Sequence, residues 1–183
     1  MHQTPYVHRM FRDVFTGIDT RQKKAIPINE LHTLLNEDPQ SDKLRRTQAI
    51  ANLLFLFCGM PFVDLAYLEK SNLEGNMLKC KQHPPKTGIP MNVEILDSAA
   101  TIISQLHNKH TTVLPEHPDY LFYILSGKNK RSDEAGYKEY QSALRCFNND
   151  LKSLARKLCI RSSVTSYTFR HSWATTAKYR GVP

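Results

Sequence analysis

The chain has 183 residues, 40% of them hydrophobic and 23% charged, an ordinary globular mixture that fits one domain with a sizeable core or one domain plus a short arm. No run of about 18 uncharged apolar residues exists, so no transmembrane helix is expected. Lys and Arg outnumber Asp and Glu by 25 to 17, which suits either a polyanionic partner, through counterion release, or a surface kept basic for solubility.

Residues 1–26 read as an arm or linker: they mix Pro, basic residues and isolated aromatics and close on the charged run Arg21-Gln22-Lys23-Lys24. They lack a signal-peptide apolar region, which argues for the cytoplasm. Pro27 opens a short helix with Leu31, Leu34 and Leu35 on one side, ending near Asp38-Pro39. Ser41 is placed to cap the next helix. That helix, Lys43 to Phe57, turns almost wholly apolar at AIANLLFLF, so it belongs at the centre of the core. Gly59 breaks it, and Pro61 restarts a short helix with Phe62, Leu65, Ala66 and Leu68 inward.

The period then changes. Met77 to His83 reads as a strand, and Ile89, Met91, Val93 and Ile95 alternate with polar neighbours as a second. His83-Pro84-Pro85-Lys86-Thr87-Gly88 is the hairpin loop between them. Leu96, Ala99, Ala100, Ile103 and Leu106 make one stripe of a helix. Residues 108–136 are mostly loop, interrupted by the apolar stretch Tyr120–Leu125. Tyr140, Leu144, Phe147, Leu151, Leu154 and Leu158 keep a 3/4 spacing through about five turns, opposite a face with Arg145, Asn149, Lys152 and Arg156. The last helix starts at Thr165 or Ser166 and runs to about Arg180, before Gly181 and Pro183. The expected fold is mainly α with a small antiparallel β-sheet that leans on helices for stability.

Cys58, Cys80, Cys146 and Cys159 form no CxxC pair and sit in apolar or periodic segments, so buried free thiols are expected. Neither they nor the eight histidines show metal-ligand spacing, and no metal site is expected.

Three places combine charge with a defined geometry. In Thr165–Ala174, TSYTFRHSWA, the i, i+3, i+4 spacing puts Tyr167, Arg170 and His171 on one helix face, with Phe169 and Trp173 on another. A helix start offers unpaired N–H groups to an anion, and the Arg fork matches two phosphate oxygens; an ion pair at the surface is the plainer alternative. Lys86 stands at the hairpin tip, where a lysine is commonly just solvated. Lys79, Lys81 and His83 alternate along one face of the strand leading to it. They can track a nucleic-acid backbone, or guard an edge strand against aggregation. Asp64, among apolar neighbours, can brace a basic site residue or cap its helix locally.

At TSYTFRHSWAT the sequence resembles the His-x-x-Arg-His box of tyrosine recombinases (phage-type integrases), in a form common among Bacteroides-type integrases. DVFTGIDTRQKKAI, FCGMPFVDLAYLEKSNLEGN, PKTGIPMNVEI, DYLFYIL and NNDLKSLARKLCI fit the same family in the same order, over nearly all of residues 11–183. The resemblance implies the tyrosine recombinase catalytic-domain fold over 27–183, preceded by a linker from a core-binding domain. It implies double-stranded DNA as partner, a tetramer on DNA, a location at the bacterial nucleoid, and no cofactor. Arg170 matches the second of two phosphate-clamping arginines, and Lys86 the hairpin lysine that assists departure of the 5′ oxygen. His171 matches the supporting histidine after the arginine, and Asp64 an acid that braces the arginines. Tyr167 stands where many relatives have His; a phenol can hydrogen-bond a phosphate oxygen but is a poor base near neutral pH.

Two departures stand out. The family's first arginine lies near Gly59-Met60-Pro61, either where this chain has Pro61 or where it has Cys58, and neither is basic. The family's nucleophilic Tyr follows the position of Gly181-Val182-Pro183, so the expectation is a catalytic domain truncated before its nucleophile, binding DNA without cutting it. Site-specific recombination of a mobile element is thus the leading reading. A degenerate, non-catalytic DNA-binding module is the second, and a helical regulatory or protein-interaction domain the third.

Overall fold

The computed structural model describes residues 25–81, 90–108, 120–126 and 133–181. Six α-helices are described: α1 (Ile28–Asn36), α2 (Asp42–Leu56), α3 (Phe62–Ala66), α4 (Asp97–Asn108), α5 (Glu134–Lys157) and α6 (Ser166–Tyr179). A 3-10 turn at Lys70–Asn72 leads into the sheet, formed by β1 (Leu73–Glu74), β2 (Met77–Lys81) and β3 (Pro90–Glu94). The architecture is the expected one, mostly helical with one small antiparallel sheet in the order β1-β2-β3.

Helix α2 is the hub, as its apolar run predicts. It packs on α1, α4, α5 and α6, and Ile50, Ala51, Leu53 and Leu54 are buried along it. Its polar residues serve a neighbour. Gln48 Nε2 donates to the carbonyls of Leu34 (2.9 Å) and Glu37 (2.7 Å), and Asn52 Nδ2 to that of Leu35 (2.9 Å). These bonds satisfy carbonyls that the end of α1 leaves without intrahelical partners. Ser41 occupies the cap position of α2 but makes no side-chain cap bond.

Helix α5 buries Phe147, Leu151 and Leu154 at the predicted spacing. Phe62 of α3 stacks on Phe147 with ring centroids 4.7 Å apart. Each such side chain removed from water contributes about 1.5–3 kcal/mol. The apolar stretch after residue 119 is part of this core: Leu121, Phe122 and Leu125 are buried, and the Leu121 N–H donates to the Leu68 carbonyl at 2.6 Å. Ile26, just ahead of α1, is also buried.

Two expectations are corrected. The thiols are free but not buried: Cys58, Cys146 and Cys159 are exposed and Cys80 is half-buried. An apolar neighbour in sequence is a poor guide on a helix, where each residue turns about 100° from the last; Cys146 faces out beside the buried Phe147. On α4 the inner stripe differs from the expected one: the helix is Asp97–Asn108, so Leu96 lies outside it, and Ile102 takes a place on the inner face that Ala100 does not. Leu96 and Ala100 are exposed, while Ala99 and Leu106 are buried with Ile102 and Ile103 packed against the core. Strand β2 is the central strand of the sheet only at Met77 and Leu78, which β1 covers; Lys79 and Lys81 lie past that pairing, beside β3 alone. Leu78 pairs with Val93 and Cys80 with Met91 on the inner face, and Lys79 pairs with Asn92 on the outer one.

Candidate functional site

The site is built on α6. Thr165 enters extended, its N–H donating to Thr168 Oγ1 at 2.9 Å, while Thr168 N–H returns to the Thr165 carbonyl at 3.0 Å. The Ser166 N–H is bound to Asn148 Oδ1 of α5 at 2.8 Å. The helix start is therefore engaged with α5 at that position, where the sequence suggested open N–H groups for an anion.

The buried face of α6 is Thr168, Phe169 and Ser172. Ser172 Oγ accepts the Ile26 N–H at 3.3 Å. Those anchors set the rotation of the helix and turn Tyr167, Arg170 and His171 together to another side, as the spacing predicts. Tyr167 is 45% exposed and meets the His171 ring edge-on, centroids 4.6 Å apart at 75°. Arg170 and His171 are half-buried. His171 Nε2 is shielded from solvent and has no hydrogen-bond partner among the described residues.

Arg170 is held by the turn between α2 and α3. Its Nη1 donates to the Gly59 carbonyl at 3.3 Å, across 111 residues of sequence. The fold thus brings the Gly59-Met60-Pro61 turn to the Arg170 side chain, and that turn carries no basic residue. Pro61 is half-buried and its carbonyl accepts the Asp64 N–H at 3.0 Å and the Leu65 N–H at 3.2 Å.

Asp64 is buried, 5% exposed. Its charge adds to burial, the larger cause, in pushing the Cys80 thiol of β2 up to about 11. Lys79 lies on the solvent face of the sheet in an ion pair with Glu74. Lys81 closes β2 opposite Pro90. His83 and Lys86 lie outside the described residues, in the connection between β2 and β3.

Two site residues were missed in the sequence: Gly59 as the partner of Arg170, and Asn148 as the acceptor of the Ser166 N–H at the start of α6. A helix-ending Gly signals a turn but does not name the helix that the turn will meet. Among the described residues no group of three His, Cys, Asp or Glu is placed to hold a metal. No described helix is long and apolar enough to cross a membrane. Away from α6, a recess of about 270 Å³ has a mostly apolar lining, Phe62 and Phe147 among it, with Lys43, Arg46 and Asp150 as its charged residues. There Arg46 donates to the Tyr123 carbonyl at 3.1 Å, burial holds its guanidinium below the ordinary arginine range, and Lys43 pairs with Asp150 at 2.6 Å.

No protein-family model matches the sequence, and no curated protein matches it. The solved structure of XerA recombinase is similar in fold, with a TM-score of 0.59 and 21% identity over 86% of this chain. The match takes in 52% of that protein, so this chain spans about half its length.

Proposed function

We propose that this chain is the phosphate-gripping part of a tyrosine-type site-specific recombinase that integrates or moves a mobile element. The observation that carries the reading is the junction of Arg170 with the 58–61 turn, the two segments that the family resemblance assigns to the phosphate clamp, within a fold similar to a recombinase. In the proposed reaction a tyrosine oxygen attacks a phosphorus of double-stranded DNA. A 3′-phosphotyrosyl bond forms, the bond to the 5′ oxygen breaks, and that oxygen leaves as a hydroxyl. The 5′ hydroxyl of a partner strand then reverses the step.

Arg170 offers fixed positive donors to the charge that develops on the phosphoryl oxygens. Lys86 supplies the proton to the leaving oxygen. Tyr167 hydrogen-bonds a phosphate oxygen, His171 supports it from the same helix face, and Asp64 braces the basic groups. Lys79, Lys81 and His83 follow the DNA backbone beside them. The attacking tyrosine is assigned to the whole protein, which works as a tetramer on DNA at the bacterial nucleoid; the 183 residues alone bind and do not cut.

The test is a duplex that traps the covalent intermediate. The full-length protein forms a protein–DNA adduct and Arg170→Ala abolishes it; undiminished adduct removes Arg170 from the site. An adduct formed by the 183 residues alone would sink the assignment of the nucleophile elsewhere. One observation favours a second reading, a non-catalytic module that occupies recombination sites: Cys58 and Pro61 leave Arg170 without a second arginine in that turn. A full-length protein that binds duplex but never forms an adduct selects that reading.

A further inference from the structure

We propose that Gly59 is a positioning residue for Arg170, setting where the guanidinium stands by the absence of its own side chain and by the direction of its carbonyl. The inference rests on the reading of Arg170 as a phosphate ligand and adds the residue through which the α2–α3 turn controls it.

Two observations combine. The first is steric. A Cβ on Gly59 would lie 2.9 Å from the Cα of Arg170, 3.3 Å from the Cβ of Trp173 and 3.4 Å from the Arg170 carbonyl oxygen. Arg170 and Trp173 are neighbours three apart on α6, so the glycine sits in the hole between them. The nearest atom is helix backbone and the next is a Cβ fixed to it, and neither can rotate aside as the far end of a flexible side chain would. Any larger residue at 59 must therefore drive α6 away from the turn at the very residue whose side chain is at issue. The second is polar. The Gly59 carbonyl accepts from Arg170 Nη1, and no other described residue bonds that guanidinium. A guanidinium carries five N–H donors in a rigid plane. One bond at Nη1 fixes the plane and leaves the Nε–Nη2 edge for two phosphate oxygens.

Gly59 also has φ +69°, a conformation that costs any L-residue with a side chain. The molecule contains a control for that cost. Gly75 has φ +61° with nothing within 4 Å of the position a Cβ would take. Gly75→Ala carries the backbone strain alone, and Gly59→Ala carries the strain and the push on α6.

The experiment measures binding of the 183-residue chain to a mixed-sequence duplex across a salt series. Arg170→Ala is expected to weaken binding about tenfold and to make the salt slope shallower by about 0.9. Gly59→Ala should match it in both, Gly75→Ala should leave both near the starting values, and the double variant Gly59→Ala/Arg170→Ala should bind no more weakly than Arg170→Ala. Gly59→Ala behaving like Gly75→Ala, or losses that multiply in the double variant, would overturn the proposal. If Arg170→Ala binds like the parent, the phosphate reading fails instead, and Gly59 is judged by the second measurement. That measurement needs no change at residue 59, so it also decides the matter if Gly59→Ala does not fold. The Gly59 carbonyl ¹³C resonance should shift on Arg170→Ala as its hydrogen bond is lost; an unmoved resonance shows that the two groups do not engage.

Discussion

Replacing Arg170 with alanine removes one cation and one long-range hydrogen bond, and the two losses have separable magnitudes. The buried Gly59 carbonyl loses its Nη1 donor. A buried carbonyl left unpaired costs about 1–3 kcal/mol, which in a domain of this size lowers the unfolding midpoint by roughly 2–12 °C. The protein then stays folded at room temperature if its stability is in the usual range of about 5–15 kcal/mol. The charge acts on DNA. Losing one phosphate contact makes the plot of log K against log salt shallower by about 0.9. Between 50 and 200 mM salt the affinity gap between parent and variant therefore narrows by about 3.5-fold. Fluorescence anisotropy on a labelled duplex, with thermal unfolding of the same samples, reads both quantities. A folded Arg170→Ala variant with an unchanged salt slope would refute the placing of this guanidinium on a DNA phosphate.

Phe169 is wholly buried on the inner face of α6, so Phe169→Ala is expected to cost about 3–5 kcal/mol, read as a lower denaturant midpoint at constant slope. Pro61→Arg puts a cation in the turn beside Arg170. It should tighten duplex binding and steepen the salt slope by about 0.9; no change in slope would mean that the turn does not face DNA. Burial and Asp64 push Cys80 up to about 11 from 9.0, so the folded protein holds this proton more tightly than the unfolded one does. That contribution to stability is complete below pH 9 and is lost as pH rises towards 11. In alkylation at pH 9 Cys80 should react more slowly than the exposed Cys146 and Cys159, and Asp64→Asn should speed it; equal rates for all three would contradict the environment described for the thiol.

Periodicity carried most of the fold. The continuous apolar run of α2 made it the hub, the 3/4 spacing of α5 placed Phe147, Leu151 and Leu154, and the switch to period two located β2 and β3. These patterns are legible because burial against water is imposed residue by residue along the chain. Local boundaries and single positions are less legible. Leu96 stands outside α4 although it continues the apolar stripe, and Cys146 faces out although its neighbours are apolar, because helical rotation carries it there.

What the amino-acid sequence determined alone is the set of chemical groups and their spacing on each element, including Tyr167, Arg170 and His171 on a single helix face. What only the tertiary structure decided is which groups from distant segments meet. Gly59 reaches Arg170 across 111 positions, and Asn148 closes the start of α6. Such contacts depend on how whole helices dock. Docking is set by the shape and burial of faces such as Phe169 and Ser172, and no local period in the sequence encodes it.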